Sequence, residues 1–451
     1  MLNKSTQEKR PMQVETKELS EKIRQQFDTG PYPRIALEKS PKNDAIALYI
    51  HSLVNAYYLR NQKVISTEGK LILDAGCGSG YKSLVLAEAN PGAKIVGVDI
   101  SANSIELAKQ RLQHHGFENA EFYVCGIEDL PSLGLQFDYI NCDDTLYFFS
   151  EPAVGLQAMK LVLKPDGIIR ANLHSSLQRR YYYRAQEIFK MMGLMDDNPE
   201  ELEIDLVRDT MNALKDQVEL KSITWRAELE KDEERILANY LLQGDNGFTI
   251  PDMFSALRAA NLEFISMVNW RQWNLMELFK EPDNLPAFLA MSLPETSIEE
   301  QLHLFELFHP FHRLLDFWCG HPDQVQSFNP VAEWTLFDWQ AAQVHLVPQL
   351  QTAEIKQELI DCITQMKPFE ISQHLPIPEN PVSMDSTIAA CLLPLWDSSQ
   401  SVKALVKRWQ QLRTVNPVTL EQTGETEALE VVSQALTGLE SRGFVLLERP
   451  T

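Results

Sequence analysis

The stretch that most limits what this chain can fold into is Leu71 to Ile100, LILDAGCGSGYKSLVLAEANPGAKIVGVDI. An apolar run, Leu71-Ile72-Leu73, delivers Asp74 to the end of a strand, and Gly76, Gly78 and Gly80 follow at alternate positions. Glycines so closely spaced let the backbone turn tightly and approach a ligand where a Cβ would clash. The stretch reads as strand, glycine-rich turn, helix and second strand, with Asp99 at the carboxyl end of Ile95-Val96-Gly97-Val98. The helix points its amino end and its free N–H groups at the turn. The second acid arrives where such βαβ units hold a ribose, at the open edge of a parallel sheet.

The rest of the chain must be organised around that unit. A length of 451 residues exceeds one ordinary domain, and a hydrophobic content of 44% supports buried cores. Lys+Arg 41 against Asp+Glu 63 leaves a net charge of −22. Such a field repels phosphate backbones and argues against a nucleic-acid partner. The six cysteines (77, 125, 142, 319, 362 and 391) show no CxxC pairing, which fits a reducing compartment without structural zinc. The amino terminus is polar and charged, unlike a signal peptide, and no run reaches the ~18 apolar residues of a membrane span. A cytoplasmic protein with no membrane partner is the expectation.

Taken in order, residues 1 to about 22 read as a mobile polar arm. Pro31-Tyr32-Pro33 runs extended over a surface, where its aromatic ring covers a ligand or packs the arm onto the core. Asp44 to Gln62 has helical spacing, and Ser104 to His115 is an amphipathic helix. Glu121 to Val124 and Phe137 to Cys142 are strands three and four. Pro152 opens a helix, Lys164-Pro165-Asp166-Gly167 is a turn, and Ile168 to Leu173 is strand five. Regular alternation of strand and helix marks a doubly wound α/β sheet.

Beyond Leu173 come a helical insertion with acidic runs, a helix at Met253 to Ala260 and a sixth strand at Leu262 to Val268. Leu285 to Cys319 reads as helical, and Trp334 to Val347, ending in QVHLVP, as the seventh strand. After Gln351, helices at Glu354–Met366, Ser386–Leu395, Ser401–Leu412 and Glu427–Ser441 precede the strand-like FVLLE. That order resembles a small winged-helix-like α+β module for interaction or dimerisation, so a homodimer is one expected assembly. The expected division is 1–64 as an amino-terminal helical arm, 65–175 as the core and 176–248 as insertion or lid. Residues 249–350 complete the core, and 351–451 form the carboxyl-terminal domain.

Asp74-x-Gly76-x-Gly78-x-Gly80, Asp99, Ile127-Glu128-Asp129-Leu130-Pro131, Phe137-Asp138-Tyr139-Ile140 and Leu163-Lys164-Pro165-Asp166-Gly167 occur in this order. The set resembles the class I S-adenosylmethionine-dependent methyltransferases over about residues 65–175. Two features separate it from dinucleotide enzymes. The glycines run G-x-G-x-G, and Asp74 precedes them; a pyrophosphate is repelled by that carboxylate, whereas a methionine ammonium is attracted. The resemblance implies a seven-stranded core and S-adenosylmethionine as cofactor. It assigns Asp74 to the methionine ammonium, Gly76, Cys77 and Gly78 to backbone contacts, and Gly80 to helix–strand packing. Asp99 takes the ribose hydroxyls, and Ile100 and Ile127 lie at the adenine. Many relatives carry an acid at the position of Gly126; here Glu128 or Asp129 substitutes, or backbone groups alone read the adenine.

For chemistry, the pair Asp143-Asp144, of which Asp143 is the chosen candidate, Tyr147 and His174 sit at the carboxyl ends of strands four and five, beside the reactive methyl. Each is a candidate base or orienter, although in-line positioning of an already electrophilic sulfonium suffices without one. Arg179 to Arg184 (RRYYYR) is a basic-aromatic cluster that binds an anionic or planar acceptor or, the favoured reading, a helix that packs its tyrosines and pairs its arginines with the acidic insertion. His303, His309, His312, Cys319 and His321 match no metal-ligand spacing, so no metal is expected. The acceptor is a small molecule or a basic protein segment. Protein lysine methyltransferases of Rickettsia share the plan of a core with large helical additions, without a matched motif beyond that core. A scaffold that binds the cofactor without transferring methyl groups is the third reading.

Overall fold

The computed structural model of the chain describes residues 21–28, 30–324, 328–378, 380–416 and 418–449. Most of the expected polar arm, residues 1–20, lies outside them. The chain divides into two compact units, one comprising residues up to Lys39, Lys70–Leu84 and Lys94–Pro322, the other Ser40–Gly69, Val85–Ala93 and Asp323 onward.

The first unit is built on an eight-stranded sheet. Its strands are β1 (Leu71–Ala75), β2 (Lys94–Asp99), β3 (Glu121–Val124), β4 (Phe137–Cys142), β5 (Leu163–Ser175), β6 (Gly247–Phe248), β7 (Glu263–Met267) and β8 (Leu314–Gly320). The order is β3-β2-β1-β4-β5-β8-β7, with the short β6 beside β5. β1 to β5 are parallel, Leu73 lying opposite both Val96 and Ile140, whereas β8 runs antiparallel to β5 and β7. Every residue of β4 is buried, as expected for a central strand covered by helices on both faces. Chain order reverses between β1 and β4, and such reversals open a crevice at the strands' carboxyl ends.

The expected sixth strand is β7, but the expected seventh is a misplacement. That position is filled by β8, Leu314–Gly320, inside a segment read as helical, and Gln343–Leu346 pairs within the second unit instead. The sequence LLDFWCG is short and nearly continuous in apolar residues, a pattern that periodicity does not separate from a buried helix.

Local chemistry fixes the helix starts. Ser101 caps Ala102–His114, Pro152 occupies the first turn of Pro152–Leu161, and Thr249 with Asp252 forms a capping box on Ile250–Ala260. Leu73, Val96, Ile140, Leu156, Ile169 and Phe317 are fully buried in one core, each such side chain contributing about 1.5–3 kcal/mol. The insertion folds as four helices, Arg180–Met191, Glu201–Ala213, Glu219–Thr224 and Glu233–Tyr240, around Ala185, Phe189, Val207, Ile236 and Tyr240.

The second unit is α+β. β9 (Gln343–Leu346), β12 (Gln400–Ser401) and β13 (Val445–Glu448) form an antiparallel sheet with β9 central, while β10 (Phe369–Glu370) pairs with β11 (Ser383–Met384). The helices Ala353–Thr364, Ser386–Leu392, Val402–Leu412 and Glu425–Glu440 surround it. Helix Leu53–Asn61 joins this core through Val54 and Tyr58, whose phenol donates to Glu440 at 2.9 Å. Among the described residues no helix is long and apolar enough to cross a membrane.

Candidate active site

The turn after β1 is held from two sides. The amides of Gly76 and Cys77 both donate to the Val98 carbonyl, at 2.8 and 2.9 Å. Gly78 and Gly80 have φ of +49° and +80°, and each faces a close neighbour. A Cβ on Gly78 would sit 2.1 Å from the Tyr32 carbonyl oxygen, and one on Gly80 2.6 Å from Cα of Ala108. Gly80 thus lets helix Ala102–His114 pack against the turn, and Gly78 admits the Pro-Tyr-Pro arm. The Ser79 amide donates to the Tyr32 carbonyl at 2.8 Å, and its hydroxyl donates to that of Pro33 at 2.7 Å. Arg111, fully buried, donates to the carbonyls of Ser79, Ile35 and Ala36 at 2.7–2.9 Å and so ties arm, turn and helix together. Sequence left the arm two roles. Its backbone packs onto the glycine turn, and the rings of Phe27 and Tyr32 line a cavity beside it.

The two acids differ. Asp74, 1% exposed, accepts from the Ser83 hydroxyl at 2.6 Å and from the Asn141 amide at 2.9 Å. Burial pushes its carboxyl up to about 6, against the pull of those two donors. It braces the start of helix Tyr81–Ala89 against β4, so an ammonium meets a site whose charge is already oriented. Asp99 is less enclosed, accepting the amides of Gly78 at 2.9 Å and Ser101 at 2.8 Å. Its carboxyl is raised by burial, with the backbone donors opposing. Cys77 is buried, which raises its thiol. At the far end of the crevice, a Cβ on Gly126 would lie 3.5 Å from Glu128, 3.6 Å from Asp129 and 3.9 Å from Ile100, all ordinary contacts. Ile127 is buried nearby. Both carboxylates therefore flank the position that lacks an acid.

The ends of β4 and β5 separate the three chemical candidates. Asp143 is buried and engaged on every side, by Lys82 at 2.7 Å, Asn172 at 2.5 Å and Arg170 at 3.5 Å. Its neighbour Asp144, not Asp143, lines the cavity. Asp144 has φ +51°, its amide donates to Asn172 Oδ1 at 2.9 Å, and its carboxylate accepts from Arg313 Nη2 at 3.1 Å. Tyr147 is buried, which raises its phenol well above the ordinary value, so it is a neutral donor at physiological pH. His174 is 1% exposed and meets Asp245 at 2.6 Å through Nδ1 and Arg313 Nη1 at 2.9 Å through Nε2. A guanidinium only donates, so Nε2 is the acceptor, Nδ1 carries the proton and the ring is neutral. Burial agrees, lowering the imidazole to about 4 despite the Asp245 hydrogen bond.

Behind His174, Asp245 accepts from Arg179 at 2.7 Å and from the Gln186 side-chain amide at 2.9 Å. Burial alone would raise the Asp245 carboxyl, yet the His174 hydrogen bond and the Arg179 charge hold it below the ordinary range. Asp144, Arg313, His174, Asp245 and Arg179 thus form a continuous chain from the cavity into the insertion. Sequence reasoning found His174, reached the Asp143-Asp144 pair but chose Asp143 of the two, and missed Asp245 and Arg313. Asp245 lies in a turn-like GDNG and Arg313 in a segment read as helix, and neither has a local motif.

The cavity lined by the arm, these loops and the insertion has a volume of about 1190 Å³. Phe27, Tyr32, Tyr147 and Phe148 supply aromatic walls, with Phe27 edge-on to Phe148 at 5.8 Å. In the RRYYYR segment, Arg184 pairs with Glu219 at 2.8 Å and Arg179 with Asp245, as the insertion-pairing reading expected. Among the histidines weighed for metal, His303 pairs with Glu306 at 2.7 Å and His312 stacks on Trp273.

The family model for a methyltransferase domain matches residues 66–239. A Synechococcus protein of no stated function is 25% identical over 283 residues, covering 59% of this chain and 66% of its own. A tRNA U34 carboxymethyltransferase of Campylobacter jejuni is 38% identical over 108 residues, 22% of this chain and 34% of its own. The chain therefore spans one third to two thirds of the length of these relatives. Among solved structures, PKMT2 of Rickettsia typhi in complex with AdoHcy is similar in fold, with TM-score 0.55 and 17% identity, over 93% of this chain and 78% of that one. The acid-flanked glycine turn and the sheet order thus accompany a match to a methyltransferase domain over residues 66–239, and the chain is similar there to S-adenosylmethionine-dependent methyltransferases.

Proposed function

We propose that the protein transfers a methyl group from S-adenosylmethionine to an acceptor seated in the cavity between the arm and the insertion. The observation that carries this reading is the turn itself, where Asp99, half-buried at the end of β2, accepts the Gly78 amide and so stands beside the glycine turn. Asp99 holds the ribose, Asp74 with Asn141 and Ser83 the ammonium end, and Ile100, Ile127, Glu128 and Asp129 the adenine. When bound, the cofactor supplies a sulfonium methyl that needs only an aligned nucleophile. The protein's part is to align the acceptor in line with that methyl and to keep water from it. His174, neutral and bonded at both nitrogens, acts as a brace for Arg313, and Asp143 as a brace for Lys82 and Arg170.

A concave pocket with an aromatic lining of Phe27, Tyr32, Tyr147 and Phe148 supports a small-molecule acceptor. A basic protein segment is the second reading, favoured by Glu200, Glu201, Glu228 and Glu233 at exposed positions of the cavity. A nucleic-acid acceptor, raised by the tRNA-modifying relative, meets the net charge of −22. Free cysteines accord with a cytoplasmic setting, and the second unit reads as an interaction module. Transfer of labelled methyl groups into a lysate, fractionated into small molecules and macromolecules, tests the proposal. Label in the small-molecule fraction supports the first reading, label in protein the second, and label in neither refutes both.

A further inference from the structure

Resting on that reading, we propose that Asp144 is the catalytic residue that takes hold of the acceptor's O–H or N–H, and that Arg313, carried on the His174–Asp245 pair, positions it. Three observations converge. Asp144 lines the cavity with Tyr147, His174 and Arg313, whereas Asp143 is spent on Lys82, Asn172 and Arg170. Its backbone adopts φ +51°, the left-handed region that Asp tolerates, and is held there by the Asn172 side chain. Its carboxylate is aimed by Arg313, whose other nitrogen bonds His174, and His174 in turn is fixed by Asp245.

The charges along this chain name the acceptor class. Asp144 and Arg313 form one ion pair, Asp245 and Arg179 a second, and His174 between them is neutral. The cavity floor thus carries a strong hydrogen-bond acceptor but no net negative charge. It suits an uncharged nucleophile, a hydroxyl or a neutral N–H, on a body that packs against Phe27, Tyr147 and Phe148. A side-chain ammonium would have to compete with the Arg313 guanidinium for the Asp144 carboxylate. In the step, Asp144 accepts the acceptor's hydrogen bond and turns a lone pair of O or N toward the methyl carbon. The new bond to carbon forms as the carbon–sulfur bond breaks, and the bonding pair returns to sulfur, leaving it neutral. The acceptor's proton passes to the Asp144 carboxylate and from there to water.

The test uses the 451-residue chain, tritiated-methyl S-adenosylmethionine and a whole cell lysate as acceptor source, separated into small molecules and protein after the reaction. Asp144→Asn is expected to lower the labelling rate about 100-fold or more, within the span of a lost acid–base group, while cofactor affinity changes less than about threefold. Asn tolerates positive φ; Asp144→Gly is the second variant should Asp144→Asn unfold. Asp144→Glu should restore part of the rate. Arg313→Gln should approach the Asp144→Asn rate, Arg313→Lys should recover some of it, and Asp144→Asn with Arg313→Gln should be no worse than Asp144→Asn alone. A purely structural Arg313 would give additive losses and a lower melting temperature. An Asp144→Asn rate within about threefold of wild type overturns the proposal. Wild-type labelling confined to protein leaves methyl transfer standing and overturns the neutral small acceptor. Wild-type labelling of neither fraction refutes the transfer reading, and the proposal falls with it.

Discussion

The imidazole of His174 lies flat against the phenol ring of Tyr147, with ring centroids 3.6 Å apart and planes inclined by 13°. The stack joins the end of β5 to the loop after β4, and it encloses a histidine already bonded at both nitrogens. Burial takes the imidazole down to about 4. In the unfolded chain the same group titrates near its ordinary 6.5.

The first expectation is therefore a histidine that does not titrate in the physiological range. Between pH 6.5 and about 4 the unfolded chain binds a proton at His174 that the native chain does not. This group's contribution to stability is complete above 6.5 and declines as pH falls through that window. The His174 ring resonances, assigned by loss in His174→Asn, should stay constant from pH 8 to about 5. A midpoint near 6.5 would contradict the neutral, doubly bonded ring.

Arg111 gives the second. One guanidinium satisfies the carbonyls of Ser79, Ile35 and Ala36, and its removal leaves three acceptors without it. Arg111→Met should cost about 2–4 kcal/mol in chemical denaturation. It should also expose residues 30–39 to limited proteolysis and weaken cofactor binding, since the arm rests on the glycine turn. Unchanged proteolysis would show that the arm holds without this residue.

A third expectation concerns Asp74. Burial raises its carboxyl to about 6, so the group is ionised above that pH and neutral below it. Attraction for a cofactor ammonium is then full above pH 7 and lost as pH falls through about 6. Calorimetry should show affinity for S-adenosylmethionine declining between pH 7 and 5. In Asp74→Asn that dependence should flatten, with affinity already reduced at pH 7.

Much of the nucleoside half of this site is legible in the sequence because one contiguous βαβ unit builds it. Asp74, the glycines and Asp99 are close in the chain, and the turn needs residues of their kind. The acceptor half joins Asp144, Asp245 and Arg313, whose proximity arises only from sheet order and from the antiparallel pairing of β8 with β5. No spacing rule connects such residues. The misplaced strand has the same origin, since Leu314–Gly320 is chosen as a strand by its neighbours in the sheet, where tertiary pairing outweighs local pattern. Asp143 and Asp144 show the limit at its finest. They are adjacent and chemically identical, and a backbone at positive φ sends one into the core and the other to the cavity.

The central claim is that the turn between β1 and β2 binds S-adenosylmethionine, and calorimetry of the wild-type chain beside Asp99→Ala tests it most directly. The account expects saturable one-site binding by wild type and a loss of about tenfold or more in Asp99→Ala, where the ribose loses a charged hydrogen-bond acceptor. No binding by wild type, or equal binding by Asp99→Ala, would contradict it.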